Sequence, residues 1–356
     1  MNLPFTKKNP TGADFYNRGI NLLLDGNLDN AMRQFRECVE LDSEIVDAYY
    51  HIGNIFRARG QYERAEKVHT DLLHRSSLPA EFVNKVKRAL IRDYLAMRNV
   101  RKAQALLTEA VKIDASLWLK EELLKLFEAT AEWDAAIELK MEINRQKGTG
   151  SSENLEYYYL ESGNAIAGKN GRAARIKFKE AMKLNPNTPW PYILIADTYF
   201  AENRVDDALQ FWSQLFDTLP SKAYLVFDKV ERYYFETGAY GEVGLIYRQI
   251  VERAPQSIEA LCALSNYLFK KGDIDEALTY SRNAVEMAPR SFAANDILIR
   301  QLLHHTEGCD ALKAAVEGLL DNFPAKKAYL CVKCGKQAPK PHWRCSSCGA
   351  WEPNAL

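Results

Sequence analysis

From residue 11 onward, apolar side chains recur at helical spacing in short segments, and the segments come in pairs. A small residue stands near the start of each second segment: Ala31, Ala65, Ala103, Ala136, Ala174, Ala208, Val243 and Ala277. The intervals between them are 34, 38, 33, 38, 34, 35 and 34 residues. An ordinary helical bundle would share the apolar spacing but not the fixed period. Gly19 and Gly53 mark a close approach of two helices. Gly26, Gly60, Gly238 and Gly272 are placed to end first helices at positive φ. Large aromatics are expected in the core from the first helices (Phe15, Tyr49, Phe56, Tyr94, Phe127, Tyr192, Tyr199, Tyr234). Phe35, Phe178, Trp212 and Tyr247 are expected there from the second. Pro186, Pro220, Pro255 and Pro289 close four successive pairs, since proline cannot continue a helix.

A 34-residue period is the tetratricopeptide signature. The predicted fold is all-α: a right-handed tetratricopeptide superhelix with a concave groove. Such a scaffold buries apolar residues between repeats and presents an extended surface to partners; it catalyses nothing by itself. The two intervals of 38 predict longer loops around "HRSSLPAE" and "RQKGTGSSEN". The second is Gly/Ser-rich and reads as a joint between two sets of repeats. The expected organisation is an N-terminal tail (1–10), N-terminal repeats (11–148), C-terminal repeats (149–323) and a small terminal module (324–356). After Pro289 one more helix pair is expected, without clear consensus.

The terminal module carries the candidate chemistry. Cys331, Cys334, Cys345 and Cys348 form two C-x-x-C-G knuckles. Four soft thiolates at this spacing suit one zinc or one iron ion. Gly335 and Gly349 allow the turn that points backbone N–H groups at sulfur. A four-sulfur site is closed to water and substrate, so it reads as structural. A module of roughly 30 residues with so few apolar side chains needs the metal to fold. It is also expected to pack on the last repeat helices. Two other uses stay open: electron transfer by iron, and nucleic-acid binding through Lys326, Lys327, Lys333, Lys336, Lys340, Arg344 and exposed tryptophans.

Composition narrows the field. Lys plus Arg equals Asp plus Glu at 47 each, so no global charge steers the chain to nucleic acid or anionic membrane. No apolar run approaches the roughly 20 residues of a membrane span, and no secretory signal opens the chain. A soluble, cytoplasmic protein is expected. Seven cysteines, four at metal spacing, fit a reducing compartment. "HHTEGC" (304–309) lacks a fourth convergent ligand for a second metal site. Cys38, Cys262 and His69 are expected as packed interior residues. No catalytic or nucleotide-binding motif is present, so an enzyme is not expected.

Several stretches resemble the bacterial lipopolysaccharide assembly protein B family. They are "DFYNRGINLLLDGNLDNAMRQF", "AYYHIGNIFRARGQYERAEKVHTDLL", "ASLW" through "EATAEWDAAIEL", and "YLCVKCG" with "HWRCSSCGAW". The resemblance implies tetratricopeptide repeats with a docked, rubredoxin-like metal domain whose ligands are Cys331, Cys334, Cys345 and Cys348. It implies an adaptor that brings the lipid A pathway deacetylase to the FtsH protease at the cytoplasmic face of the inner membrane. The groove of the repeats would be the partner surface. Known members begin with a transmembrane helix that this sequence does not show, so membrane association is expected only through partners. Nucleic acid is not an expected partner, and homodimerisation stays open. The alternatives are a nucleic-acid or redox module on a repeat scaffold, and a general assembly scaffold.

Overall fold

The computed structural model describes residues 10–76, 78–150, 152–305, 316 and 329–351. The chain divides into two compact units, residues 1–148 and 149–356. The first holds four helix pairs: α1 (Gly12–Leu24) with α2 (Leu28–Leu41), α3 (Val46–Ala58) with α4 (Tyr62–Leu73), α5 (Ala80–Ala96) with α6 (Val100–Ile113), and α7 (Leu117–Thr130) with α8 (Trp133–Lys147). In the second unit α9 (Leu155–Ala167) pairs with α10 (Gly171–Leu184), and α11 (Trp190–Ala201) with α12 (Val205–Thr218). A 3-10 turn at Pro220–Val226 leads into α13 (Phe227–Glu236), which pairs with α14 (Gly241–Arg253). Then come α15 (Ile258–Lys271), α16 (Ile274–Met287) and α17 (Phe292–His305). Strands β1 (Tyr329–Leu330) and β2 (Gln337–Ala338) form an antiparallel ribbon, with Tyr329 opposite Ala338 and Leu330 opposite Gln337. This is a tetratricopeptide fold with a C-terminal four-cysteine cluster.

The period is written in the packing. All eight small residues from Ala31 to Ala277 are fully buried. One turn further along the second helices, Phe35, His69, Phe178 and Tyr247 are also fully buried. The first helix makes room for three of these rings with a glycine. A Cβ added to Gly19, Gly53 or Gly163 would lie 2.6 Å from Phe35, 2.5 Å from His69 or 2.4 Å from Phe178. Gly163 escaped the sequence reading because the 38-residue interval before it breaks the period. Asn27, Asn99 and Asn170 start three second helices by accepting the backbone N–H of Asn30, Lys102 and Ala173. Gly26, Gly60, Gly238 and Gly272 follow first helices at φ of 74, 73, 73 and 97°. Arg98, Ala131 and Asn203 take the same left-handed turn without glycine, so glycine spacing alone under-reports these junctions.

Two expectations need correction. Of the first-helix aromatics, Phe127 and Tyr192 are buried, but Phe15, Tyr49, Phe56, Tyr94, Tyr199 and Tyr234 are half-buried. These rings sit at the margins of the pair-to-pair seams, and cations cover several of them: Arg75 on Tyr49 at 4.3 Å, Arg64 on Phe56 at 5.8 Å, Arg175 on Tyr199 at 4.2 Å. Second, the extra length before Ala103 is not only loop. Helix α5 has 17 residues against 13 in α3. Residues 1–9 of the expected tail (1–10), most of the segment expected as the second helix of the pair after Pro289, and Thr306–Cys309 lie outside the described residues. Of the "HHTEGC" pair, His304 packs against Phe269 at 5.9 Å.

His69 replaces the phenylalanine of the preceding repeat and brings a polar network with it. Its Nδ1 faces Asp93, which also accepts from Arg57 at 2.8 Å. His69 and Asp93 are fully buried, and Arg57 is largely covered. The triad ties α3, α4 and α5 together. Cys38 and Cys262 are packed interior residues, 0% and 8% exposed.

Candidate metal centre

The two knuckles are built alike. In the first, the Cys331 N–H donates to the Lys336 carbonyl at 2.9 Å and the Gly335 N–H to the Cys331 carbonyl at 2.8 Å. In the second, the Cys345 N–H donates to the Ala350 carbonyl at 2.8 Å and the Gly349 N–H to the Cys345 carbonyl at 2.9 Å. Gly335 and Gly349 have φ of 71 and 67°, a conformation that side chains disfavour. Each knuckle is flanked by a strand pairing: β1 with β2, and Arg344 with Trp351. Each presents one buried cysteine, Cys331 or Cys345, and one nearer the surface, Cys334 or Cys348.

All four Sγ atoms lie within 4.8 Å of one another. Cys331 and Cys348 are 3.6 Å apart, Cys334 and Cys345 3.8 Å. A tetrahedron with metal–sulfur bonds of about 2.3 Å has edges of about 3.8 Å, so the cluster has the size a single zinc or iron ion requires. Backbone N–H groups of Cys348 and Ser347 point at Cys345 and hold its thiol down, at about 6. The Ser347 N–H lies 3.4 Å from that sulfur. The donor set is soft, compact and saturated by its own four sulfurs.

The module is seated on the second unit. Trp343 donates its indole N–H to Glu161 at 2.9 Å and meets Trp190 edge-on at 5.2 Å. Trp351 stacks on Tyr157 at 5.4 Å with an interplanar angle of 12° and touches Tyr158. The Arg344 guanidinium covers Trp351 at 4.7 Å. Receiving residues therefore come from α9 and α11, the first helices of the first two pairs in this unit. At the other end, Tyr329 lies near Tyr224 of the 3-10 turn. Burial first, then the neighbouring Tyr329 phenol and the Glu259 carboxylate, pushes the Tyr224 phenol up. The expected docking on the last helices is only part of the picture: the tryptophans meet aromatic faces on α9 and at the start of α11, while burial, then Glu259 of α15 and Asp228 of α13, push the Tyr329 phenol up. The run "EYYYLE" (156–161) and Trp190 were the available signal. The tryptophans expected as exposed stacking platforms for bases are both committed to the repeats.

A second candidate surface belongs to the first unit. Asp47, Tyr50, Phe82, Lys85, Arg88 and Arg92, on first helices α3 and α5, line a pocket of about 720 Å³. Among the described residues no helix is long and apolar enough to cross a membrane.

The tetratricopeptide repeat family profile matches residues 46–68 and 258–291. Lipopolysaccharide assembly protein B of Escherichia coli K12 is 22% identical over 340 residues, 94% of this chain and 87% of that protein. The Haemophilus influenzae protein of the same name is 22% identical over 354 residues, 95% of this chain and 88% of that one. The likeness read from sequence fragments thus extends over nearly the whole chain. Among solved structures, yeast Tom70 overlaps 88% of this chain and 86% of its own at 15% identity, with a TM-score of 0.37. The repeat fold and these relatives point to a non-enzymatic, protein-binding adaptor.

Proposed function

We propose that this chain is an adaptor in the control of lipopolysaccharide synthesis, linking the lipid A pathway deacetylase to the FtsH protease. In this reading it works peripherally, at the cytoplasmic face of the inner membrane. The observation that carries the reading is the seating of the four-cysteine module on first-helix faces through Trp343 and Trp351. The module becomes part of the repeats' recognition surface. The end-to-end likeness to lipopolysaccharide assembly protein B supports the client class.

Cys331, Cys334, Cys345 and Cys348 would hold one zinc or iron ion, which when bound cross-links the two knuckles and supplies no open coordination position. The chain's own residues do the rest. Gly335 and Gly349 turn the knuckles, Glu161 orients the Trp343 indole, and Tyr157 with Arg344 clamps the Trp351 ring. Repeats 11–148 and 149–323 would present client-binding faces, with residues 324–356 as the metal module.

The test is a cross-linked pull-down from native cells, comparing wild type with Cys331→Ser/Cys334→Ser by mass spectrometry. FtsH and the deacetylase should be enriched with wild type and fade with the double variant. Absence of both from the wild-type sample refutes the assignment of client.

A further inference from the structure

The four-cysteine module has two faces of opposite character. The inner face holds Trp343 and Trp351 against α9 and α11. The outer face runs from Leu330 to Lys340, where every residue is exposed except buried Cys331 and half-buried Ala338. Two aliphatic side chains project there: Leu330 is 50% exposed and Val332 69%. Lys333, Lys336 and Lys340 belong to the same stretch, all exposed and without an ion pair among the described residues. No acidic residue occurs between Tyr329 and Trp351. With Arg344 that stretch carries four cations. Four thiolates around a divalent ion would offset two of them, leaving the module net positive in a chain whose overall charge is zero.

The residue types select among partners. Protein interfaces are depleted in lysine, and their energetic anchors are mostly tryptophan, tyrosine and arginine. The tryptophans and Arg344 of this module are engaged with each other and the repeats. Single-stranded nucleic acid would need aromatic rings to stack on, and the same two tryptophans are the ones withdrawn. Exposed aliphatics in one short stretch with exposed lysines suit an anionic bilayer surface. Aliphatic tips enter the boundary between headgroups and acyl chains, while lysine stems lie along it and carry their ammonium groups to phosphate.

We propose that the Leu330–Lys340 face of the module binds anionic lipid surfaces, Leu330 and Val332 entering the headgroup layer and Lys333, Lys336 and Lys340 meeting lipid phosphates. This goes beyond the adaptor reading, since it assigns a direct lipid contact to a module that otherwise only shapes a protein surface. The contact is weak and reversible by construction. Each lysine contributes about a fivefold gain in partitioning, and salt screens it.

The experiment is co-sedimentation of the full metal-loaded chain with vesicles of phosphatidylcholine, alone or mixed with phosphatidylglycerol, at low salt. Wild type should pellet with the mixed vesicles only, and raised NaCl should release it. Lys333→Glu/Lys336→Glu should weaken partitioning by about 25-fold or more, from about fivefold per lysine. Val332→Ser should weaken it by several fold, since its apolar tip no longer leaves water. Metal content and helical circular dichroism should be unchanged in both variants, and FtsH and deacetylase capture by the double variant in detergent extract should persist. No sedimentation with anionic vesicles, or equal sedimentation of wild type and the lysine variant, overturns the proposal. So does capture of RNA or an acidic protein that the lysine substitutions abolish while vesicle binding is absent.

Discussion

Truncating Trp351 to alanine isolates what holds the cysteine module on the repeats. The indole is sandwiched between the Tyr157 ring at 5.4 Å and the Arg344 guanidinium at 4.7 Å, with Tyr158 at its side. A stacked aromatic pair is worth about 0.5–1.5 kcal/mol beyond its area, and a cation over a ring about 0.5–1 kcal/mol at such a site. The ring is half-buried, so its lost apolar burial adds about 1 kcal/mol. Together the docking should weaken by about 2–3.5 kcal/mol, or about 30- to 300-fold in the opening equilibrium. The module is local, so this opening need not unfold the helices. Hydrogen exchange read by mass spectrometry should therefore rise in peptides covering residues 329–351 and in the α9 peptide containing Tyr157. Peptides from α1 to α8 should be unchanged. Equal exchange in wild type and variant would refute the reasoning, because the sandwich would then contribute nothing. Acceleration across all helices would refute it differently, making the module a keystone of the whole fold.

Other outcomes follow from the same packing. Cys331→Ser should lose the metal and unfold residues 329–351 while far-UV circular dichroism keeps most of its helical signal; global collapse of that signal would contradict a local module. Gly163→Ala places a methyl 2.4 Å from the Phe178 ring and should cost about 1–3 kcal/mol, seen as a lower Tm, whereas Gly168→Ala, with nothing within 4 Å, should not. Asp93→Ala leaves Arg57 and buried His69 without their carboxylate and should cost about 3–5 kcal/mol in urea unfolding. A cost below the range for ordinary surface substitutions would mean the triad is not the pin between α3, α4 and α5.

The repeats were legible because their packing is local. Ala31 to Ala277 recur at almost one interval, and each packs within its own pair or the next, so the period in the chain is the period in space. The four cysteines were legible for a related reason: each knuckle is five residues long, and its geometry is decided by C-x-x-C-G alone. What escaped was non-local. Trp343 and Glu161 are 182 residues apart, and nothing in either neighbourhood names the other. Asp93 could not be read as buried, because its partner His69 is 24 residues away and a carboxylate on an amphipathic helix ordinarily faces water. The first-helix aromatics were read as core since periodicity reports which face of a helix is apolar. How far that face is covered depends on the neighbouring pair and on cations such as Arg75 and Arg175.

The placement of the two tryptophans links the metal to the repeats. Trp343 stands two residues before Cys345, and Trp351 three residues after Cys348, so both flank the second knuckle. Docking requires that knuckle to hold them at a fixed separation, which an ion held by the four cysteines would fix. Binding of the ion and docking of the module are then two events favoured by the same conformation. Linkage makes their coupling reciprocal: whatever factor docking adds to metal affinity, the metal adds to docking. Glu161 and Tyr157 touch no cysteine, yet on this argument they belong to the metal site energetically. Trp351→Ala should therefore weaken metal retention against a competing chelator with all four sulfurs in place. The loss should approach the full opening factor only if the undocked module binds metal poorly. If retention is unchanged while hydrogen exchange rises, the knuckles are organised without the repeats, and the metal and the docking surface act independently.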